Sequence, residues 1–313
     1  MGKFNKLDKL GKKLKIYRRK MIQLFSAVLF NLNFKGFVEG NIYKGRIKGV
    51  CVPGLNCYSC PGAVGACPLG SLQSSLSELK FKLPLYILGT LIVFGILLGR
   101  AVCAFLCPFG LIQELLHKIP SPKVKKNKRT RRFSYLKYVI LFLFVFALPI
   151  YYLIRTGVAV PAFCKFICPA GTLEGGIPLV AANTDLQSII GGLFTWKIAV
   201  LIAVVALSVF VYRFFCRFLC PLGAIYSFFN KHAMIGIEVD VTKCTKCDKC
   251  VKFCKMDTRH INDRECLRCG DCRQVCNNNA IMTRDVVGAV PYINKLKSKL
   301  KLKLKGKNHE EEI

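Results

Sequence analysis

Three long apolar stretches stand out along this chain, at residues 83–99, 138–154 and 198–212. Roughly 20 helical residues cross a bilayer, with about 17 as the lower limit when flanking side chains reach back to its surface. The stretches at 83 and 138 meet that limit. The one at 198 does so only with Trp196 and Lys197 at the interface, where Trp196, Tyr151 and Tyr152 read as anchors. A fourth stretch, 21–34, is shorter, and its length alone fits either a span or a helix lying in the interface.

Charge orients these segments. Residues 118–132, KIPSPKVKKNKRTRR, are strongly basic and belong on the cytoplasmic side. The helix at 83 then runs inward, that at 138 outward, and that at 198 inward again. The N-terminal 1–20 is also basic and stays inside, so an even number of crossings is required and 21–34 spans. No small-residue cleavage site follows it, so it reads as uncleaved. The fold expected is mainly α: about four transmembrane helices in two pseudo-repeated halves. A bacterial inner-membrane protein with both termini in the cytoplasm follows.

Composition agrees with this picture and narrows it. Of 313 residues, 53% are hydrophobic, yet 48 Lys and Arg face 17 Asp and Glu. Nucleic-acid binding is the rival reading of that charge, but the basic blocks flank apolar runs. The 18 cysteines fall in short repeated spacings, which points to metal ligation rather than a disulfide framework. No phosphate-cradling glycine loop, Ser/His/Asp set or carboxylate pair is visible. His117 and His232 sit near the inner interface, where contact with a quinone head group and plain solvation are both open. The tail at 295–307 alternates Lys and Leu and reads as disordered or as a membrane-surface segment.

Two runs of C-x2-C-x2-C-x3-C occur, Cys244, Cys247, Cys250, Cys254 and Cys266, Cys269, Cys272, Cys276. Three thiolates on one tight loop suit three corners of a cubane, the fourth coming from elsewhere; paired structural zinc is the alternative. A different repeat lies upstream. GRAVCAFLCPFGLIQELLHK at 99–118 and YRFFCRFLCPLGAIYSFFNK at 212–231 share Arg100/Arg213, Cys103/Cys216, Phe105/Phe218, Leu106/Leu219, Cys107/Cys220, Pro108/Pro221, Gly110/Gly223, Ile112/Ile225 and Lys118/Lys231. Two C-x3-C-P units facing each other supply the four thiolates of one cluster, Cys103, Cys107, Cys216 and Cys220. Proline after the cysteine suits the first turn of a helix, whose N-terminus then faces the anionic cluster. Arg100 and Arg213 either offset cluster charge or snorkel to the interface.

A fainter pair, Cys67-Pro-Leu-Gly and Cys168-Pro-Ala-Gly, lies toward the outer face. An outer cluster takes Cys164, Cys168, Cys67 and one of Cys57 or Cys60. Alternatively Cys51, Cys57, Cys60 and Cys67 form one by themselves, or this more oxidising face holds disulfides.

The motifs together resemble the polyferredoxin-like membrane 4Fe-4S proteins of the NapH, NosR C-terminal and CcoG/FixG types, over roughly residues 83–285. The segment CVPGLNCYSCPGAVGACPLGSLQ resembles an uncharacterised subgroup. By resemblance to two-cluster ferredoxins, one cluster takes Cys244, Cys247, Cys250 and Cys276, and the other Cys266, Cys269, Cys272 and Cys254; the usual proline after the fourth cysteine is here Lys255 and Asn277. The resemblance implies two [4Fe-4S] clusters in a small α+β ferredoxin domain and two more in the membrane part. The organisation expected is a basic N-terminus (1–20), a short span (21–34), an outer cysteine-rich segment (35–82), the helices with their cluster motifs (83–235), the ferredoxin domain (236–290) and a Lys-rich tail (291–313). The role implied is that of an electron-transfer subunit rather than a stand-alone enzyme. Its donor is a cytoplasmic ferredoxin, a dehydrogenase or quinol, and its acceptor a membrane redox partner, an extracytoplasmic flavoprotein or a reductase. An iron–sulfur sensor, or an accessory protein for assembling a metallo-oxidase or reductase, is the alternative.

Overall fold

The computed structural model describes residues 17–75, 84–124 and 126–284. The tail and the first sixteen residues lie outside them. The described residues are mainly helical, with one two-stranded sheet among them. Among the described residues, two helices are long and apolar enough to cross a membrane, Lys128–Thr156 and Gly192–Phe210. Of the about four transmembrane helices expected, the one at 21–34 short, two are of spanning length. The stretch at 83 becomes the 13-residue helix Leu85–Leu97, about 20 Å at 1.5 Å per residue, short of a hydrocarbon core of about 30 Å. The stretch at 21–34 is split: a helix runs through 17–30, and Phe34–Glu39 is a separate short one.

Both long helices face outward with their apolar side chains. Only 22% and 17% of their most apolar windows are buried inside the protein. Phe142 is 70% exposed, Ile154 79% and Ile202 62%. The core helix of a water-soluble domain would hide such residues.

Lys128–Thr156 opens with an Asn127–Thr130 capping box and widens to a π-helix over Leu141–Ala147, just before Pro149. The same happens at Gly171–Gly176, before Pro178. Proline clashes with the carbonyl four residues back, and the wider turn makes room for the ring.

The C-terminal lobe is closed by an antiparallel pair, β1 (Gly236–Val239) and β2 (Ile281–Arg284), in register Gly236↔Arg284 to Val239↔Ile281. Both cysteine runs are held between these strands. Basic residues of the helical part dock the lobe. Arg131 donates to Asp263 at 3.0 Å and Arg217 pairs with buried Asp257. Lys126 donates to the Cys254 carbonyl at 2.8 Å, and Asn230 to the carbonyls of Asp263 and Cys266. Part of the basic run at 118–132 thus holds the lobe in place.

Candidate iron–sulfur sites

One local structure recurs three times. Five-residue helices, Ala101–Phe105, Ala162–Phe166 and Phe214–Phe218, each carry a cysteine at their third position, Cys103, Cys164 and Cys216. Each ends at a residue with φ between −115° and −118°, and the next residue is again cysteine: Cys107, Cys168, Cys220. Proline then opens a new helix. Cys67 and the helix Pro68–Ser75 add a fourth proline-opened turn.

In the last of these turns the Gly223 amide donates to the Cys220 sulfur at 3.4 Å, and in the other three the glycine stands at the same place beside its cysteine: Gly70 near Cys67, Gly110 near Cys107 and Gly171 near Cys168. The Cys220 contact is an N-cap with sulfur in the place of oxygen. The turn holds the sulfur at the positive end of each helix, where an anionic group is stabilised. The glycine also leaves room: a Cβ at Gly110 would stand 3.1 Å from both Arg213 Nη1 and the Cys103 carbonyl.

Four of these thiols form a central site. Cys103, Cys107, Cys216 and Cys220 are buried and close enough to perturb one another electrostatically. Gln113, which sequence reasoning missed, donates to the Cys216 sulfur at 3.1 Å and accepts from the Phe215 amide.

Arg100 and Arg213 do not snorkel: both are 0% exposed. Each crosses to the other half, Arg213 to the Cys103 carbonyl at 2.6 Å and Arg100 to the Cys216 carbonyl at 3.3 Å. Each also shares one carboxylate with a second cation. Glu114 accepts from Arg213 at 3.0 Å and from both ends of Arg19 at 2.9 Å. Glu265 accepts from Arg100 at 2.8 Å and from Lys137 at 2.7 Å. Two cations on Glu265 leave that triad one net positive charge beside the thiols, while in the other Arg19 also reaches Asp271 at 3.8 Å. Buried charge without a counter-ion is costly, so this donor set fits a negatively charged thiolate–metal group.

A second site gathers thiols from the 51–75 and 162–176 segments. Cys57, Cys67, Cys164 and Cys168 line one cavity of about 640 Å³. The sequence left the fourth member between Cys57 and Cys60; the cavity takes in Cys57, while buried Cys51 and Cys60 stand outside its lining. Burial pushes the Cys57 and Cys164 thiols up to about 12, so they stay neutral near pH 7 until a metal ion displaces the proton. Glu174 accepts from the Cys57 amide at 2.8 Å, and burial raises its carboxyl to about 7. Adjacent residues link the two sites: the Leu55 backbone stands near Cys107 and that of Asn56 near Cys67.

The lobe groups its thiols in two sets. Cys244, Cys247, Cys250 and Cys276 line a cavity of about 420 Å³. Cys254, Cys266, Cys269 and Cys272 are neighbours through Cys266. The two runs bend alike, with left-handed backbone on either side of the second cysteine: Lys246 and Asp248 in one, Arg268 and Gly270 in the other. Among the described residues, no three His, Cys, Asp or Glu side chains close around a point tightly enough to hold a single metal ion. A cubane is ligated at four separate irons and takes a wider set. His117 packs edge-on against Tyr212 at 5.4 Å.

A 4Fe-4S binding domain matches residues 83–127, 137–177 and 193–237. Each segment carries one of the three C-x3-C-P turns, so the repeat is threefold where the sequence had shown two strong copies. An uncharacterised protein of Methanocaldococcus jannaschii is 31% identical over 220 residues, 67% of this chain and 80% of that protein. The regulatory protein NosR of Pseudomonas aeruginosa is 27% identical over 230 residues, 69% of this chain but 28% of its own length. Protein NirI of Paracoccus denitrificans is 27% identical over 219 residues, 62% of this chain and 28% of NirI. No solved structure matches.

Proposed function

Because the chain belongs to the polyferredoxin-like 4Fe-4S family, we propose that it is a membrane-bound relay passing electrons between a cytoplasmic donor and a partner in or beyond the membrane. The observation that carries this reading is the juxtaposition of thiol sets: Cys67, Cys103, Cys107, Cys168 and Cys220 share one core, and the lobe's Cys254 and Cys269 pack against it. Four clusters bound there would supply one-electron carriers of adjustable potential.

The protein's own residues do the rest. Cys254 and Cys269 of the lobe pack against the main core, and Glu265, next to Cys266, reaches Arg100 at the central site. Leu55 and Asn56 continue the contact to the second site. Phe109, Phe163 and Phe215 are buried around the central thiols and exclude water. Lys128–Thr156 and Gly192–Phe210 cross the membrane, with 17–30 and Leu85–Leu97 completing an even number of passes. Both termini lie inside, and the lobe is cytoplasmic.

The test uses anaerobically purified protein in sealed liposomes with an impermeant dye inside and reductant outside. Dye reduction that depends on the protein supports the relay. Intact, reducible clusters with no dye reduction overturn it.

A redox sensor is the second reading, favoured by the word regulatory in the name of NosR. It predicts clusters that change state once without sustained flux through them.

A further inference from the structure

The lobe's solvent side carries a charge pattern that passing electrons inward does not itself require. Of its two thiol sets, one is backed by the core through Cys254 and Cys269. The other opens outward: Cys247 is exposed, and Cys244, Cys250 and Cys276 are partly so. An electron entering from a soluble molecule meets this second set first.

Its surroundings are basic. Lys243, Lys246 and Lys249 line the cavity. Lys252, Lys255 and Arg259 follow on the same stretch, and all six side chains are exposed. Few carboxylates balance them. Asp240 faces Lys243 at 3.6 Å, Asp257 is buried against Arg217, and Asp248 is exposed. Two apolar side chains stand on the same stretch, Val241 at 82% exposed and Phe253 at 42%.

Resting on the relay reading, we propose that this face is the docking surface of an acidic one-electron carrier protein. A cationic rim steers an acidic partner and raises its association rate by about 10- to 1,000-fold, an effect that salt removes. A neutral quinol gains nothing from such a rim. The apolar side chains would supply a small, readily released contact, as short-lived electron-transfer encounters require. Only the electron passes between the partners: the carrier is oxidised by one electron and the exposed cluster reduced by one.

The experiment is anaerobic stopped-flow reduction of the full-length, cluster-loaded protein in nanodiscs, with a reduced acidic two-cluster ferredoxin as probe and dithionite in a parallel arm. For the unaltered protein, the ferredoxin rate is expected to fall at least about tenfold from low to high salt. At low salt, Lys249→Glu with Lys252→Glu should slow it about tenfold, and Lys35→Glu, on a different helix, should not. Dithionite should reduce all three proteins to the same extent. A ferredoxin rate indifferent to both salt and charge reversal, with dithionite still reducing the clusters, overturns the proposal. Clusters that dithionite cannot reduce would overturn the relay reading beneath it, a distinguishable result.

Discussion

Cys57 and Cys60 are three residues apart, yet only Cys57 lines the cavity of the second site. Cys57→Ser should lower bound iron and labile sulfide by one cluster's worth, whereas Cys60→Ser should leave both unchanged; elemental and sulfide analysis decides. At the central site, Glu265→Gln leaves Arg100 and Lys137 buried without their shared anion. Breaking a buried ion pair costs about 3–5 kcal/mol, which denaturant unfolding would register. Removing a negative charge beside the thiolates also favours the reduced state, so the midpoint potential of that site should rise in an EPR-monitored titration. Gly110→Ala places a methyl 3.1 Å from Arg213 Nη1 and the Cys103 carbonyl. An overpacking loss of about 1–3 kcal/mol follows. Gly223→Ala, whose nearest contact is 3.3 Å, should lose less.

Among the elements, the two ligand loops of the lobe share one bend but not one composition. Gly270 takes its left-handed conformation freely, whereas Asp248, at the matching place, has φ 55° and carries a side chain there. An L-residue in that region is disfavoured by about 1–2 kcal/mol, partly offset by glycine's greater chain entropy. Asp248→Gly should therefore stabilise the loaded lobe by up to about 1 kcal/mol, read from its thermal midpoint. The C-P-x-G turn was readable at this scale: proline to open the helix and glycine to bring an amide to sulfur are local requirements. Its third full copy was less so, because Cys164 and Cys168 share few flanking residues with the other two units. The matching five-residue helices and the 4Fe-4S domain match over 137–177 reveal the likeness.

For the whole molecule, the outward apolar faces of the two long helices are the feature that a lipid surrounding explains. Phe142→Lys, midway along Lys128–Thr156, should weaken membrane insertion by about 2.5–3.5 kcal/mol, measured as the inserted fraction in a translocation assay. The 17–30 helix and Leu85–Leu97 also carry exposed apolar residues, Phe25 and Leu85 among them. Leu85–Leu97 is shorter than its stretch at 83–99, and the 17–30 helix ends before its stretch at 21–34 does. Hydropathy reports how apolar a stretch is, while helix ends are fixed by tertiary contacts and turns.

By itself the sequence determined the chemistry: thiolates at ligand pitch, helices opened by proline beside them, and apolar runs bounded by basic ones. These are local properties, and neighbouring residues suffice to set them. The repeat and the spacings already grouped the central and lobe thiols, and which outer thiols line one cavity was decided only by tertiary structure. So were the presence of Cys57 rather than Cys60 in the lining of that cavity and the pairing of Arg100 and Arg213 with carboxylates 99 to 165 positions away. The reason is physical: a buried charge takes whichever opposite charge the packed helices bring within reach, and no spacing along the chain encodes that partner.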